Sequence, residues 1–223
     1  MTESLHEPSH KDKFQLERIA FFSDAVFAIA ITLLIIDIHV PEIPEGKATD
    51  EALLNALIIL IPKFIGFLVS FFVIGMYWMS HHRLFRYLVG YNAGLLWTNT
   101  WFLLTIVLMP FSSAFLSDYY SGALRVPLGF YMVNISFSGW FSYRLWKQAG
   151  NPAHHLSTGL EPAILKYNIT RALTMPVFFM TLFLLSFLWA QVYYFILPFT
   201  PLVAWGIRRR FMRKYPELMR VHA

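Results

Sequence analysis

The residues best suited to chemistry lie inside an apolar run. Between Ile19 and Ile38 the chain carries Ser23, Asp24, Thr32 and Asp37 among side chains that suit a lipid interior, and Arg18 precedes them. A carboxylate there can relay protons or pin a helix, and a hydroxyl can replace part of the water around a cation. One aspartate near the centre of a membrane helix costs about 2.5–3.5 kcal/mol, so these groups need protein or water beside them. At about 100° per residue, Ile29, Thr32 and Ile36 share one helical face, with Leu33 beside them. That face is a stripe of bulky aliphatics broken by a single hydroxyl.

The rest of the composition says what holds this stretch. Hydrophobic residues make up 57% of the chain, charged residues only 14%, and there are 22 phenylalanines. That is too apolar for an ordinary soluble domain, so the bilayer is the expected solvent. The absence of cysteine rules out a disulfide framework and thiol chemistry in the sequence given. Net charge is +5, but the basic residues cluster at helix ends, where topology and anionic lipid account for them without nucleic acid. The segment Met1 to Gln15 is polar, with no apolar core, and is not expected to be a cleavable signal.

The pattern predicts an all-α membrane protein forming one six-helix domain over 1–223, with spans near 15–40, 52–80, 93–116, 124–146, 163–188 and 192–208. The first span should stop at Pro41, Pro62 and Lys63 interrupt the second, and Pro110 should kink the third. From Leu173 to Ile207 the chain is apolar for 35 residues, too long for one crossing, so a reversal is expected near Trp189 to Tyr194. One side takes Lys11, Lys13, Arg18, Arg83, Arg86, Arg144, Lys147, Lys166, Arg171 and the Arg208–Lys214 cluster, and the other keeps Lys47, Arg125 and Lys63. The positive-inside rule then puts both termini in the cytoplasm.

Arg18-x-x-x-Phe22-Ser23-Asp24, continuing Ala-Val-Phe-Ala-Ile-Ala-Ile-Thr-Leu-Leu, resembles the signature of the transmembrane-protein-175 family of potassium channels. The likeness extends to Trp78-x-x-His81-His82-x-Leu84-Phe85, to Asn99, and to Pro110-Phe111-Ser112. One six-helix repeat is similar to the prokaryotic branch of that family. The resemblance implies a homotetramer in the plasma (inner) membrane of a prokaryote, with four first helices around a passive, cofactor-free cation pathway. It implies a constriction at Ile29, further pore-facing positions at Leu33 and Ile36, and a potassium-preferring hydroxyl at Thr32. Arg18, Ser23 and Asp24, with His82 or its neighbour, would then position helices through hydrogen bonds. Physics adds that a ring of isoleucines can gate by excluding water, and that few direct oxygen ligands should give weak preference for potassium over sodium. Asp37 near the outer end would concentrate cations at the mouth. Arg18 and Asp24 stand about 240° apart on the helix, so each should find its partner on another one.

Other readings stay open on the residues alone. The Ile29/Thr32/Ile36 face could be ordinary packing, and Thr32 could bond back to a carbonyl one turn earlier. Asp24, Asp37 and the histidines could serve a proton-conducting channel. His81-His82 and His154-His155 raise a histidine-metal membrane enzyme, although neither pair has the one-turn spacing of a histidine box. No arginine recurs at every third position, which argues against an intrinsic voltage sensor. Asn134-Ile-Ser136 and Asn168-Ile-Thr170 match the glycan sequon but fall in or beside spans, out of the modifying enzyme's reach.

Overall fold

The computed structural model describes residues 10–119, 124–188 and 200–215. Its elements are helices: α1 (His10–Leu33), α2 (Asp50–Phe85), α3 (Ala93–Val107), α4 (Met109–Asp118), α5 (Arg125–Ala149), a 3-10 turn (Pro152–His154), α6 (Pro162–Leu185) and α7 (Thr200–Lys214). Three stretches, Asp50–Phe85, Ala93–Asp118 and Pro162–Leu185, are long and apolar enough to cross a membrane by length and composition. The expected reversal between the last two spans lies outside the described residues.

Local chemistry sets the helix ends. Thr49 caps α2 through its hydroxyl on the Ala52 N–H, and Asn92 caps α3 on the Leu95 N–H. Pro110 separates α3 from α4, as its missing N–H requires. Pro62 does not interrupt α2, which runs unbroken for 36 residues. A proline inside a helix costs about 3 kcal/mol; opening a turn in an apolar setting would strand several backbone groups and cost more. At about 54 Å, α2 exceeds one crossing of the hydrocarbon. The basic run Arg208–Lys214 continues α7 rather than following it.

The first helix is shorter than expected. Its α-helical part ends at Leu33, and Ile36 and Ile38 donate to Leu33 and Ile35 in tighter turns. Consecutive β-branched residues disfavour the helix there, and Pro41 shortly ends any continuation.

Chain ends and loops sort the helices. Val89 N–H donates to Leu156 O, and Thr158 N–H to Tyr87 O, so the end of α2 meets the α5–α6 connection. Lys13, Leu16 and Glu17 line a cavity with Phe85, Leu88 and Val89, which brings the start of α1 to the same end. At the opposite end Lys63 Nζ lies 2.5 Å from Asp118 and 3.9 Å from Asp37. The lone cation of α2's apolar run is thus held by two carboxylates, which is what a poorly solvated ammonium needs.

Small residues bring the helices close. Gly129 and Gly139 on α5, and Gly150 just past its end, face Phe183, Pro176 and Leu165 of antiparallel α6. Ser113 on α4 donates to Gly66 O of α2 at 3.2 Å, and Ser70 joins Ser113 and Tyr131 at 2.8 and 3.0 Å. Asn134 donates to Thr105 O and Ser112 Oγ, fixing α5 against α3 and α4. Lipid drives helix association weakly, so close backbone approach and shared hydroxyls carry it.

A Cβ on residue 139 would run into the Pro176 ring and come within 2.9 Å of the Ala172 carbonyl. Gly139→Val should therefore destabilise the protein by about 1–3 kcal/mol. A thermal melt in detergent reads this directly, and an unchanged midpoint would contradict the packing described.

Candidate functional site

The first helix has two faces with opposite fates. Leu16, Ser23, Phe27, Ala30 and Leu34 are buried against the bundle. Ile29 is 58% exposed and Leu33 42%, Thr32 is exposed as well, and none of the described residues covers them. At about 100° per residue the centre of this open face lies opposite the buried one.

A hydrogen-bond chain fixes the buried face. Ser23 Oγ donates to Ile19 O at 2.8 Å and accepts from Asn99 Nδ2 at 3.0 Å. Asn99 Oδ1 is in turn 2.9 Å from His81 Nε2. With the amide nitrogen committed to Ser23, His81 Nε2 must be the donor. All three side chains are buried. The His81 ring sits in an aromatic slot, stacked on Phe85 at 4.3 Å and Phe102 at 5.8 Å, with Phe27 at 5.7 Å. Asp24, one residue further along α1, accepts from Trp78 Nε1 of α2 at 2.9 Å.

These contacts refine the sequence reading residue by residue. Ser23 and Asp24 each bond to another helix. His81 rather than His82 makes the buried hydrogen bond; His82 is exposed and stacks on Trp78 at 5.6 Å. Arg18 is exposed and makes no hydrogen bond to the described residues. Thr32 Oγ1 donates toward Ala28 O at 3.0 Å and Ile29 O at 2.9 Å, the back-bonded arrangement. Its proton therefore points at its own helix and its lone pairs point outward.

Ile36 is 64% exposed but stands on the turns after the helix, off the register that Ile29 and Thr32 share. Asp37 is not a free carboxylate, because it shares Lys63 with Asp118. The cluster retains a net charge of about −1, two carboxylates against one ammonium.

The sequence reading missed Trp78 as the partner of Asp24, and Asp118 as the partner of Lys63. Lys63 carried a usable signal: a cation in an apolar run needs an acid at its own depth, and Asp118 closes the neighbouring span. Among the described residues no three His, Asp or Glu side chains converge as metal ligands.

Comparison with known proteins fits this geometry. The family described as endosomal/lysosomal potassium channel TMEM175 matches residues 18–110, from the motif arginine through Pro110. A potassium channel of Streptomyces collinus is 40% identical over 102 residues, covering 46% of this chain and 48% of that protein. A potassium channel of Chamaesiphon minutus is 35% identical over 138 residues, covering 59% of this chain and 64% of the other. The chain thus aligns with about half to two thirds of the length of these relatives. The crystal structure of a lysosomal potassium-selective channel TMEM175 homolog from Chamaesiphon minutus superposes with a TM-score of 0.70 at 28% identity, over 88% of this chain and 98% of that one. The matched family and these relatives are ion channels rather than enzymes. In its motif, its helix order and its three-dimensional arrangement, this chain resembles the TMEM175 family of channels.

Proposed function

We propose that this chain is a potassium-permeable cation channel in which four copies turn the open face of α1 toward a common axis. The observation that carries the reading is the uncovered Ile29/Thr32/Leu33 stripe, set opposite a face pinned by Ser23. The names of the relatives in Streptomyces and Chamaesiphon support it.

Ile29 forms the tightest ring, and four such side chains exclude water until the helices dilate or rotate. Leu33 extends the dry segment by one turn, and Ile36 lies at its outer mouth, on the turns after the helix. Four Thr32 hydroxyls present lone pairs to the axis and replace part of an ion's hydration shell. With so few direct ligands the preference for potassium over sodium is weak. The Asp37–Lys63–Asp118 cluster leaves a small negative excess that favours cations nearby. Arg18 lies on the same side of α1 as the stripe and finds its partner in a neighbouring copy. The end rich in Lys and Arg faces the cytoplasm of a prokaryotic plasma membrane, which puts both termini inside.

Purified protein in liposomes should pass potassium passively, and Ile29→Asn should enlarge the flux; equal silence of both, beside a working control channel, would overturn the reading. At equal potassium on both sides, a pH gradient should leave the reversal potential near zero; a potential that tracks the protons would make the pathway a proton channel instead. Thr32→Val should lower the potassium-to-sodium permeability ratio while the protein still assembles, as measured by bi-ionic potentials. Asn99→Leu strands buried groups on Ser23 and His81, so it should cost about 1–3 kcal/mol for each. A lowered melting midpoint together with an altered unitary conductance would tie that network to the pore, whereas unchanged values in both would detach it.

A further inference from the structure

One face of α5 changes character along its length. Val133, Phe137 and Trp140 line an apolar groove of about 610 Å³, which α6 closes with Pro176, Val177 and Leu184. Continuing at the same four-then-three spacing, Arg144 and Lys147 line a second pocket, of about 360 Å³, together with Gln148 and, just past the end of α5, Asn151 and His154. Among the described residues no carboxylate lines this second pocket. The two cavities follow one another along a single stripe of the helix, apolar toward its middle and cationic at its end.

We propose that this stripe binds an anionic phospholipid, with its acyl chain in the α5–α6 groove and its phosphate among Arg144, Lys147, Asn151 and His154. The polar end is built rather than incidental. Asn151 Oδ1 is committed to the Ala153 N–H at 3.1 Å, which leaves its Nδ2 donors for an anion. Lys147 Nζ lies 5.8 Å over the Tyr143 ring, which holds the ammonium beside Arg144. Gln148 Nε2 donates to Thr98 Oγ1 at 2.9 Å, which joins this pocket to α3. The two cations call for a headgroup with net negative charge. Phosphatidylglycerol carries that charge and phosphatidylcholine does not. Arginine and lysine at the cytoplasmic end of a span also face the leaflet where anionic headgroups attract them.

The inference is independent of what the chain conducts, so its test reads lipid retention. The full-length protein is presented with phosphatidylglycerol or phosphatidylcholine of matched chains, and the retained lipid is counted by native mass spectrometry. Wild type should favour phosphatidylglycerol by about tenfold, the scale of charge-assisted hydrogen bonds. Arg144→Gln with Lys147→Gln should abolish that preference; if the double variant does not assemble, Arg144→Gln alone should reduce it. Trp140→Ala should weaken retention of both lipids. Lys47→Gln with Arg125→Gln on the opposite side removes the same charge elsewhere and should leave the preference intact. An unchanged preference in the α5 variants, or an equal loss in the opposite-side control, would overturn the proposal. So would complete displacement of the lipid by millimolar inorganic phosphate, because the pocket would then be a site for the free ion.

Discussion

A single buried amide sets the rotation of the first helix. Asn99 gives its N–H to Ser23 and its oxygen to His81, so α1, α2 and α3 meet through one side chain. Turning α1 by one residue, about 100°, would carry Ser23 away from that amide and leave polar groups unpaired in an apolar bundle. The direction in which Ile29 and Thr32 point follows from this bond, although neither touches it. The Trp78 indole on Asp24 makes the same demand one residue further along.

Two further sets of polar groups extend this rule through the bundle, while the buried Asn168 Oδ1 and Gln148 Oε1 have no hydrogen-bond partner among the described residues. Ser70, Ser113 and Tyr131 form one set, and Asn134, Ser112 and the Thr105 carbonyl another. Between His81 and Lys63 the second helix advances 18 residues, about 27 Å, close to the thickness of a bilayer's hydrocarbon. Lipid cannot hydrogen-bond these side chains, so each finds a partner inside the protein. The glycines of α5 serve the same end by another route, since they admit the α6 backbone where a larger side chain would hold it off.

Much of the fold was legible because the bilayer penalises errors so heavily. Long apolar runs and the break at Pro110 follow from hydrocarbon thickness and from proline's missing N–H. Pro62 misled because the same penalty on unpaired backbone that forbids loops in lipid also keeps a helix intact through a proline. The end of α1 at Leu33 escaped because hydropathy is blind to the change from i+4 to i+3 bonding: Ile35, Ile36 and Ile38 are as apolar on a turn as on a helix.

The sequence by itself determined the solvent of this protein, the helices it must form and the stripe of isoleucine, threonine and leucine on the first of them. Composition, run length and spacing are local, and a chain carries them before it folds. Only the tertiary structure decided which histidine meets Asn99, that Asp118 and Asp37 share Lys63, and that the stripe stays uncovered while Ser23 is buried. Those outcomes depend on groups 18 to 81 residues apart arriving at one depth and one rotation. Helical pitch and packing fix that coincidence, and no single stretch of the sequence contains it.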